Sequence, residues 1–302
     1  IKYNNKFEKA SWHEVYKIIK SKIEVINKDK ICGFVGDLTS METSFIFKEF
    51  FDRTIDSNKY ESRSTQSFID NSQRENYLFN STINGIEEAD LILLVGTNPR
   101  FEATMVNARI RKAYLKNNKF SDEWNPLNIL STDAATIGNL DLDIINREDN
   151  MIKDLNENKF ELIYLLGQDN LNFNKKNEFI IYQGSHGDNG AEMADIILPG
   201  SAYTEQSAHF TNLEGKIQKA YKASYPPGEA KEDWQIINEL AEIMNNRKLF
   251  NDKEELESSM FNFLNLKKEK QKSSLIKEVH QNNFENEFLK IKFKDYYFFN
   301  VI

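Results

Sequence analysis

The amino-acid sequence predicts an α/β protein with a parallel sheet and flanking helices. Short apolar runs at 91–95, 162–166 and 179–182 each end close to a glycine that is followed by polar residues. Such uninterrupted runs are typical of strands buried on both faces of a parallel sheet. Helical patterns lie between the runs, as βαβ units require. Because the carboxyl ends of parallel strands meet at one edge, where ligands usually bind, the loops that follow these strands are the first candidates for a site.

The first predicted elements are a helix, a strand and a second helix. Ser11 and Glu14 form a capping-box pattern that begins the first helix. Residues 31–35 predict a short strand that ends at Gly36. Ser40 is placed to cap the next helix, since its hydroxyl can accept an orphan N–H of the first turn.

A further strand is predicted at 90–95, and a helix follows Pro99. One face of this helix is expected to point inward because its apolar residues recur at helical spacing. The inward set is Met105, Ala108 and Ile110 or Leu115. The outward set is Arg109, Arg111 and Lys112.

The second half of the chain repeats the same rhythm. Asn125 and Pro126 begin a short predicted helix, with proline at the first helical position. The strands at 162–166 and 179–182 follow, and residues 231–244 form an amphipathic helical pattern. We therefore expect an α/β domain over 1–250, either as one unit or as two lobes of about 1–120 and 121–250. Residues 251–302 are expected to form a charged, mostly helical extension.

Composition limits the classes of function. A net charge of −8 and a pI near 5.3 argue against a nucleic-acid or anionic-membrane surface. No stretch approaches the roughly 20 apolar residues of a spanning helix. Cys32 is the only cysteine, which excludes a disulfide framework and an iron–sulfur cluster held by four thiolates of this chain. Its position inside a predicted strand indicates a buried, inert thiol.

The loop Gly96-Thr97-Asn98-Pro99 has two interpretations. It can contact phosphate or ribose through amides at a helix N-terminus, or it can be a plain strand-to-helix turn, where glycine, asparagine and proline are usual. Residue types alone favour the turn. Neither G-x-G-x-x-G nor G-x-x-x-x-G-K-[ST] occurs, so nothing predicts nicotinamide or P-loop nucleotide binding.

Two later loops hold polar residues without a recognisable ligand spacing. By residue type the loop at 182–200 offers metal or acid–base groups, and its three closely spaced glycines favour a structural loop instead. The segment at 201–220 can line a polar pocket, or its acids can be buried and hydrogen bonded. The residues concerned are His186, Asp188, Glu192 and Asp195 in the first loop, and Glu205, His209, Asn212 and Glu214 in the second. The residues alone do not reach a reaction.

Two stretches carry a family resemblance. Residues 76–115 and 179–220, above all Asn98–Ala103 and Ala194–Pro199, resemble the large iron–sulfur subunit of respiratory complex I in its C-terminal, molybdopterin-oxidoreductase-like half. In molybdopterin enzymes the matching loops lie near the pterin nucleotide, whereas in complex I the domain is regarded as a relic. The resemblance implies a vestigial crevice and neither a bound cofactor nor a metal. The crevice residues are Gly96, Thr97, Asn98, Asn212 and Glu214.

The sequence departs from that family in two ways. The family's iron–sulfur clusters lie in an N-terminal part whose cysteines do not occur here, so we expect a fragment or a separate polypeptide. The family also continues after the helix at 102–116 with another strand and further α/β units. Here only KNNKFSDE separates that helix from WNPLNI, which predicts an internally shortened fold.

Three functional hypotheses remain open. The first is a structural domain of the peripheral arm of complex I, which supports electron transfer from NADH to quinone without its own active site. Its partners are then other peripheral-arm subunits, including the cluster-bearing part or chain, with no nucleic acid and no membrane span. Its place is the matrix side of the mitochondrial inner membrane, or the cytoplasmic side of the plasma membrane in a bacterium.

The second hypothesis is an active molybdopterin-dependent oxidoreductase of the formate-dehydrogenase type. It requires a metal ligand in a pocket and basic groups for the pyrophosphates. Cys32 is poorly placed for the first, and Arg100 is the only basic residue between 86 and 103. The third hypothesis is packing alone, which predicts a monomer. The first predicts exposed apolar patches instead, with Phe293 and Tyr296–Phe299 either in such a patch or in a buried terminal element.

Overall fold

The computed structural model describes residues 1–302 apart from 65–68, 90, 117–127, 147–149 and 273–302. The helix predicted to begin at Asn125 and the aromatic segment at 293–299 lie outside the described residues. Among the described helices, none combines the length and the apolar content that crossing a bilayer demands.

A five-stranded parallel sheet forms the centre of the protein. Its strands are β3 (Ile31–Val35), β4 (Tyr60–Glu61), β5 (Leu162–Leu166), β6 (Phe179–Gly184) and β7 (Ile196–Pro199), and their order across the sheet is β4-β3-β5-β6-β7. Ile31 pairs with Leu162 and Val35 with Leu166, so the two central strands are in register along their length. Every residue of β3 and β5 is buried. The α/β class and these apolar strands are confirmed.

Helices cover both faces of the sheet, as a parallel sheet requires. The larger core contains residues of α1 (Trp12–Val25), α2 (Met41–Phe50), α8 (Asp233–Asn245) and α9 (Lys253–Lys272). Tyr164 and Ile181 point into it from the sheet, whereas Phe34 and Leu165 point into a second core on the other face. That second core is closed by α6 (Met151–Asn156) and α7 (Asn189–Met193).

The predicted helix starts are confirmed at two positions. The Ser11 hydroxyl accepts the Glu14 N–H at 3.3 Å, and the Ser40 hydroxyl accepts the Thr43 N–H at 3.4 Å. Leu256, Met260 and Leu264 of α9 are buried in the larger core, so the described part of the predicted C-terminal extension packs on the domain. The division into lobes stays a prediction.

The remaining elements are short. Two antiparallel hairpins are formed by β1 (Lys2–Tyr3) with β2 (Lys6–Phe7) and by β8 (Ala208–Thr211) with β9 (Ile217–Ala220). The other helices are α3 (Pro99–Glu102), α4 (Thr104–Lys116) and α5 (Thr136–Asp141).

The strand predicted at 90–95 is wrong. Residues 91–95 form no strand, and the exposed fractions of Leu91, Leu93 and Val95 are 61%, 82% and 78%. A strand buried on both faces needs a neighbour along each edge, and no strand in the described part of the chain pairs with this segment.

The inward face predicted for α4 is wrong for Met105, Ala108 and Leu115, which are exposed. Ile110, the alternative to Leu115, is partly buried and packs on the same cluster as Val106. The buried face is formed by Val106, Ile110 and Ala113. It packs on the short helical turn at 85–88 and not on a sheet.

Candidate cofactor crevice

Glu102 accepts two donors of the Gly96–Glu102 loop. Gly96 has a φ of +64°, the left-handed region in which glycine is at ease. One carboxylate oxygen of Glu102 accepts the Thr97 hydroxyl at 2.5 Å and the Asn98 backbone N–H at 2.7 Å. A carboxylate of the chain itself thus occupies the position that an anionic phosphate would need at this turn.

The turn between β8 and β9 is also stabilised by hydrogen bonds and an ion pair among its own residues. The Asn212 side-chain oxygen accepts the Lys216 N–H at 2.9 Å, and Gly215 has a φ of +76°. Glu214 accepts the Ile83 N–H at 2.7 Å and pairs with the Lys216 ammonium at 2.6 Å. The Lys216 hydrogen bond, aided by that of Ile83, lowers the pKa of Glu214. Asn212 and Glu214 therefore hold the turn together and attach it to the segment around Ile83.

Arg74 also donates to this turn, and its charge is neutralised by an acid of the chain. Its guanidinium donates to both oxygens of Asp141, at 2.9 and 2.7 Å, and to the Gly215 carbonyl at 2.7 Å. The Tyr77 hydroxyl donates to the same carboxylate at 2.8 Å. A bidentate pair of this kind is strong and geometrically specific, so Arg74 ties the turn between β8 and β9 to Asp141 at the end of α5.

An apolar cluster relates the two loops to each other. Leu213 from one loop, and Ile92 and Ala103 from either side of the other, pack on a buried cluster that includes Phe79 and Val106. Its carbonyl accepts the Phe79 N–H at 2.9 Å. No hydrogen bond between described residues joins Gly96–Asn98 to Asn212 or Glu214. The five predicted crevice residues therefore lie on two loops that flank one small apolar cluster, and each loop is stabilised separately.

The carboxyl edge of the five-stranded sheet gathers several polar groups, as the sequence predicts for strands that end in glycine. Asp169 accepts the Tyr182 hydroxyl at 2.8 Å and the Gly190 N–H at 3.0 Å. Burial raises the pKa of Asp169. Asp37, after β3, accepts the side-chain amide of Asn170. These contacts tie the loops together across the edge.

The metal candidates of the loop at 182–200 do not converge. The His186 ring contacts its neighbour Ser185 at 2.9 Å and is exposed, as is Asp188. Asp195 pairs with Lys175 at 2.7 Å and accepts the Ile180 N–H at 2.8 Å. Their positions match the structural-loop interpretation.

Sequence reasoning missed the most buried acid–histidine pair of the described chain. The Glu42 carboxylate is 1% exposed; its two oxygens accept the His209 backbone N–H at 3.1 and 2.9 Å, and one oxygen contacts Nδ1 of the His209 ring at 2.5 Å. Glu257 lies within 4.8 Å, which makes a three-ligand set by type. Because Glu42 already accepts these donors, the arrangement anchors β8 on α2. The two residues are 167 positions apart, and no local signal links them.

Replacing Glu102 by alanine tests whether this carboxylate closes the loop. We expect the free energy of unfolding to fall by about 1 kcal/mol, the usual cost of losing a cap at a helix start, and the Asn98 amide to exchange its proton faster. Thermal unfolding and hydrogen exchange measure the two effects. Glu88→Ala is the matched control, since Glu88 is exposed and carries the same charge. Equal effects of the two substitutions would contradict the assignment.

Comparisons with known proteins place the chain among related sequences. The model of the molybdopterin oxidoreductase family matches residues 1–121 and 117–243. The NADH-ubiquinone oxidoreductase 75 kDa subunit of Reclinomonas americana is 32% identical, over 82% of this chain and 49% of that protein. A NADH-quinone oxidoreductase subunit of Rickettsia bellii is 35% identical, over 86% and 48%. The mitochondrial 78 kDa subunit of Candida albicans is 33% identical, over 83% and 45%.

The chain spans about half the length of the curated relatives it matches, and its matched part is itself shorter than theirs. The alignment with the Reclinomonas protein spans 338 positions, although 82% of this chain amounts to only about 248 residues. Roughly 90 positions of that relative therefore face no residue of this chain, and the figure for the Rickettsia bellii protein is about 76. The two family matches meet at 117–121, directly after α4. This supports the prediction of an internally shortened fold.

Proposed function

The chain belongs to the molybdopterin oxidoreductase family, and from that premise we propose that it acts without an active site of its own. In this proposal it is the molybdopterin-oxidoreductase-like domain of the large subunit of NADH:quinone oxidoreductase, respiratory complex I. The names of the similar proteins from Reclinomonas, Rickettsia and Candida support the assignment to that complex.

The main support for a non-catalytic role is that the donors and the cation of the crevice are already bound by carboxylates of the chain itself. A pterin nucleotide needs N–H donors and cations for its phosphates. Glu102 already accepts the Thr97 and Asn98 donors, and Asp141 neutralises Arg74. A cofactor bound against these groups would bring its negative charge close to two carboxylates. The residues present do not fit the cofactor of the family, and we derive no reaction step through it.

The position of Cys32 weighs against the alternative, a molybdopterin-dependent enzyme of the formate-dehydrogenase type. Cys32 is the only thiol that could ligate the metal. It is fully buried as the second residue of β3, and burial raises the pKa of its thiol well above the ordinary value. A thiolate ligand would have to form where the charged state is least favourable.

The proposed role is mechanical support of the peripheral arm. The domain would pack on the cluster-bearing part of the large subunit and on neighbouring subunits, and would hold that part while electrons pass from NADH to quinone. Its location would be the matrix side of the mitochondrial inner membrane, or the cytoplasmic side of the plasma membrane in a bacterium. The division into a domain over 1–250 and an extension beyond it belongs to this proposal.

Elemental and pterin analysis of the native assembly, purified through a tag on this chain, tests the proposal. We expect NADH:quinone reductase activity and iron to co-purify with the chain, while molybdenum, tungsten and the fluorescence of oxidised pterin stay far below one equivalent. One equivalent of metal and pterin would overturn the non-catalytic role. Purification of the chain without any NADH:quinone reductase activity would overturn the assignment to complex I.

A further inference from the structure

We propose that residues 91–95 and α4 form an incomplete βα unit that binds a separate α/β polypeptide. The partner is the counterpart of the roughly 75 to 90 residues by which the aligned parts of the relatives exceed this chain, and it adds a parallel apolar strand beside 91–95. This inference rests on the fold and the alignment, and it does not depend on the proposed role in complex I.

Residues 91–95, the strand part of the unit, are apolar but largely exposed to solvent. Ile92 packs into the cluster with Phe79 and Val106, while the other four residues of the segment, Leu91 and residues 93–95, are 47–82% exposed. No backbone hydrogen bond joins residues 91–95 to another residue in the described part of the chain. An apolar segment with unpaired backbone groups is a template for strand addition.

Helix α4, the helical part of the unit, also exposes large apolar side chains to solvent. Val106 and Ala113 form the buried face of α4, whereas Met105, Tyr114 and Leu115 are 69–79% exposed on the rest of the helix. A helix that is apolar on more than one side is normally covered on more than one side. Of the sixteen large hydrophobic side chains exposed in the described residues, eight lie within 91–115, so the exposure is concentrated in this unit.

Two observations indicate the occupant: the number of residues by which the relatives exceed this chain, and the place where the two family matches meet. In a parallel sheet the next strand follows the helix through a crossover connection, so the neighbour of 91–95 is expected directly after α4. The two family matches meet at that point, at 117–121. A βαβ unit takes about 30 residues or more, so the positions missing here are enough for two strands with their helices. A partner with apolar strands and helices could cover both residues 91–95 and the exposed side of α4.

Binding in trans can be measured directly. The full chain is co-expressed with a tagged polypeptide that comprises those residues of the Rickettsia bellii relative that face the gap. We expect a one-to-one complex by size-exclusion chromatography with light scattering, and amide exchange in 91–95 slowed at least about tenfold. Leu93→Asp is expected to abolish the complex. Leu266→Asp, on the exposed side of α9 at 59% exposure, is the matched control and is expected to leave it intact.

Three results would overturn the proposal. The first is the absence of a complex, or a complex that Leu93→Asp and Leu266→Asp weaken equally. The second is strong protection of 91–95 in the chain alone that disappears on truncation after Lys272, which would assign the cover to the chain's own residues 273–302. The third is a self-association of the chain that Leu93→Asp abolishes, which would assign the cover to a second copy.

Discussion

Replacing Gly36 by alanine is expected to lower the free energy of unfolding by more than about 3 kcal/mol. The new methyl group would lie 1.7 Å from the Gly167 carbonyl oxygen and 2.4 Å from its carbon. These are backbone atoms, which cannot turn aside as a side chain can, so the ends of β3 and β5 must separate. Overpacking usually costs about 1–3 kcal/mol, and more where the obstacle is rigid. The loss is a large part of the 5–15 kcal/mol typical of a domain. Urea unfolding measures it.

Gly187→Ala provides the control for this substitution. Its new methyl group would meet the Ala191 side chain at 3.6 Å, an ordinary contact, and we expect a change within about 0.5 kcal/mol. The Gly36 N–H donates to the Leu166 carbonyl at 2.8 Å, so the effect of Gly36→Ala should also appear as faster exchange of that amide. A midpoint shift no larger than that of Gly187→Ala would contradict the close approach of the two strand ends.

Much of the fold could be predicted because its signals are local. The apolar runs at 31–35, 162–166 and 179–182 are continuous, and each became a buried strand of one sheet. Ser11 and Ser40 cap helices through residues three positions away. Such a pattern depends only on residues that are close in sequence, so it can be recognised without knowing the tertiary contacts.

The run at 91–95 carries the same local signal and did not become a strand. An apolar run indicates a segment that is suited to burial, but pairing depends on neighbouring strands from elsewhere in the chain. Here no strand in the described part of the chain pairs with it. The same absence explains the exposed face of α4, because Met105 and Leu115 have no sheet to pack against in the described part of the chain.

The candidate site was harder to predict because its decisive contacts join distant residues. Arg74 and Asp141 are 67 positions apart, and Glu42 and His209 are 167 apart. No spacing in the sequence relates such pairs. The exception is Glu102, which binds Thr97 and Asn98 five and four residues earlier. An acid one turn after a helix start is a recognisable capping signal, and it could have distinguished a self-closed turn from a phosphate loop.

Asp233 is a buried acid that should make stability depend on pH. It lies in the first turn of α8 and is 9% exposed. The Gln183 side-chain amide donates to its carboxylate at 2.9 Å, and the Tyr164 hydroxyl donates to the oxygen of that amide at 2.6 Å. Burial raises the pKa of Asp233 to about 7, although the hydrogen bond from Gln183 acts in the opposite direction. Its ordinary value is near 4.

Asp233→Asn is therefore expected to stabilise the protein in a pH-dependent way. Below about pH 4 the carboxyl is neutral in both the folded and the unfolded state, and it costs nothing. Between about pH 4 and 7 the unfolded chain releases the proton and the folded chain keeps it, so the wild type loses stability as the pH rises. Above pH 7 the loss is complete, on the order of 4 kcal/mol for a shift of about three units. Asparagine keeps the acceptor for Gln183 and has no charge to bury.

The informative quantity is the difference in free energy of unfolding between Asp233→Asn and the wild type, measured by urea unfolding from pH 4 to pH 8. Every other ionisable group titrates in both proteins, so its contribution cancels. We expect the difference to increase steadily up to about pH 7 and then to stay constant. Asp29→Asn, which neutralises an exposed aspartate, controls for the loss of one negative charge. A flat profile for Asp233→Asn would mean that the folded protein keeps this carboxylate ionised, and that Gln183 and the start of α8 solvate it better than their geometry implies.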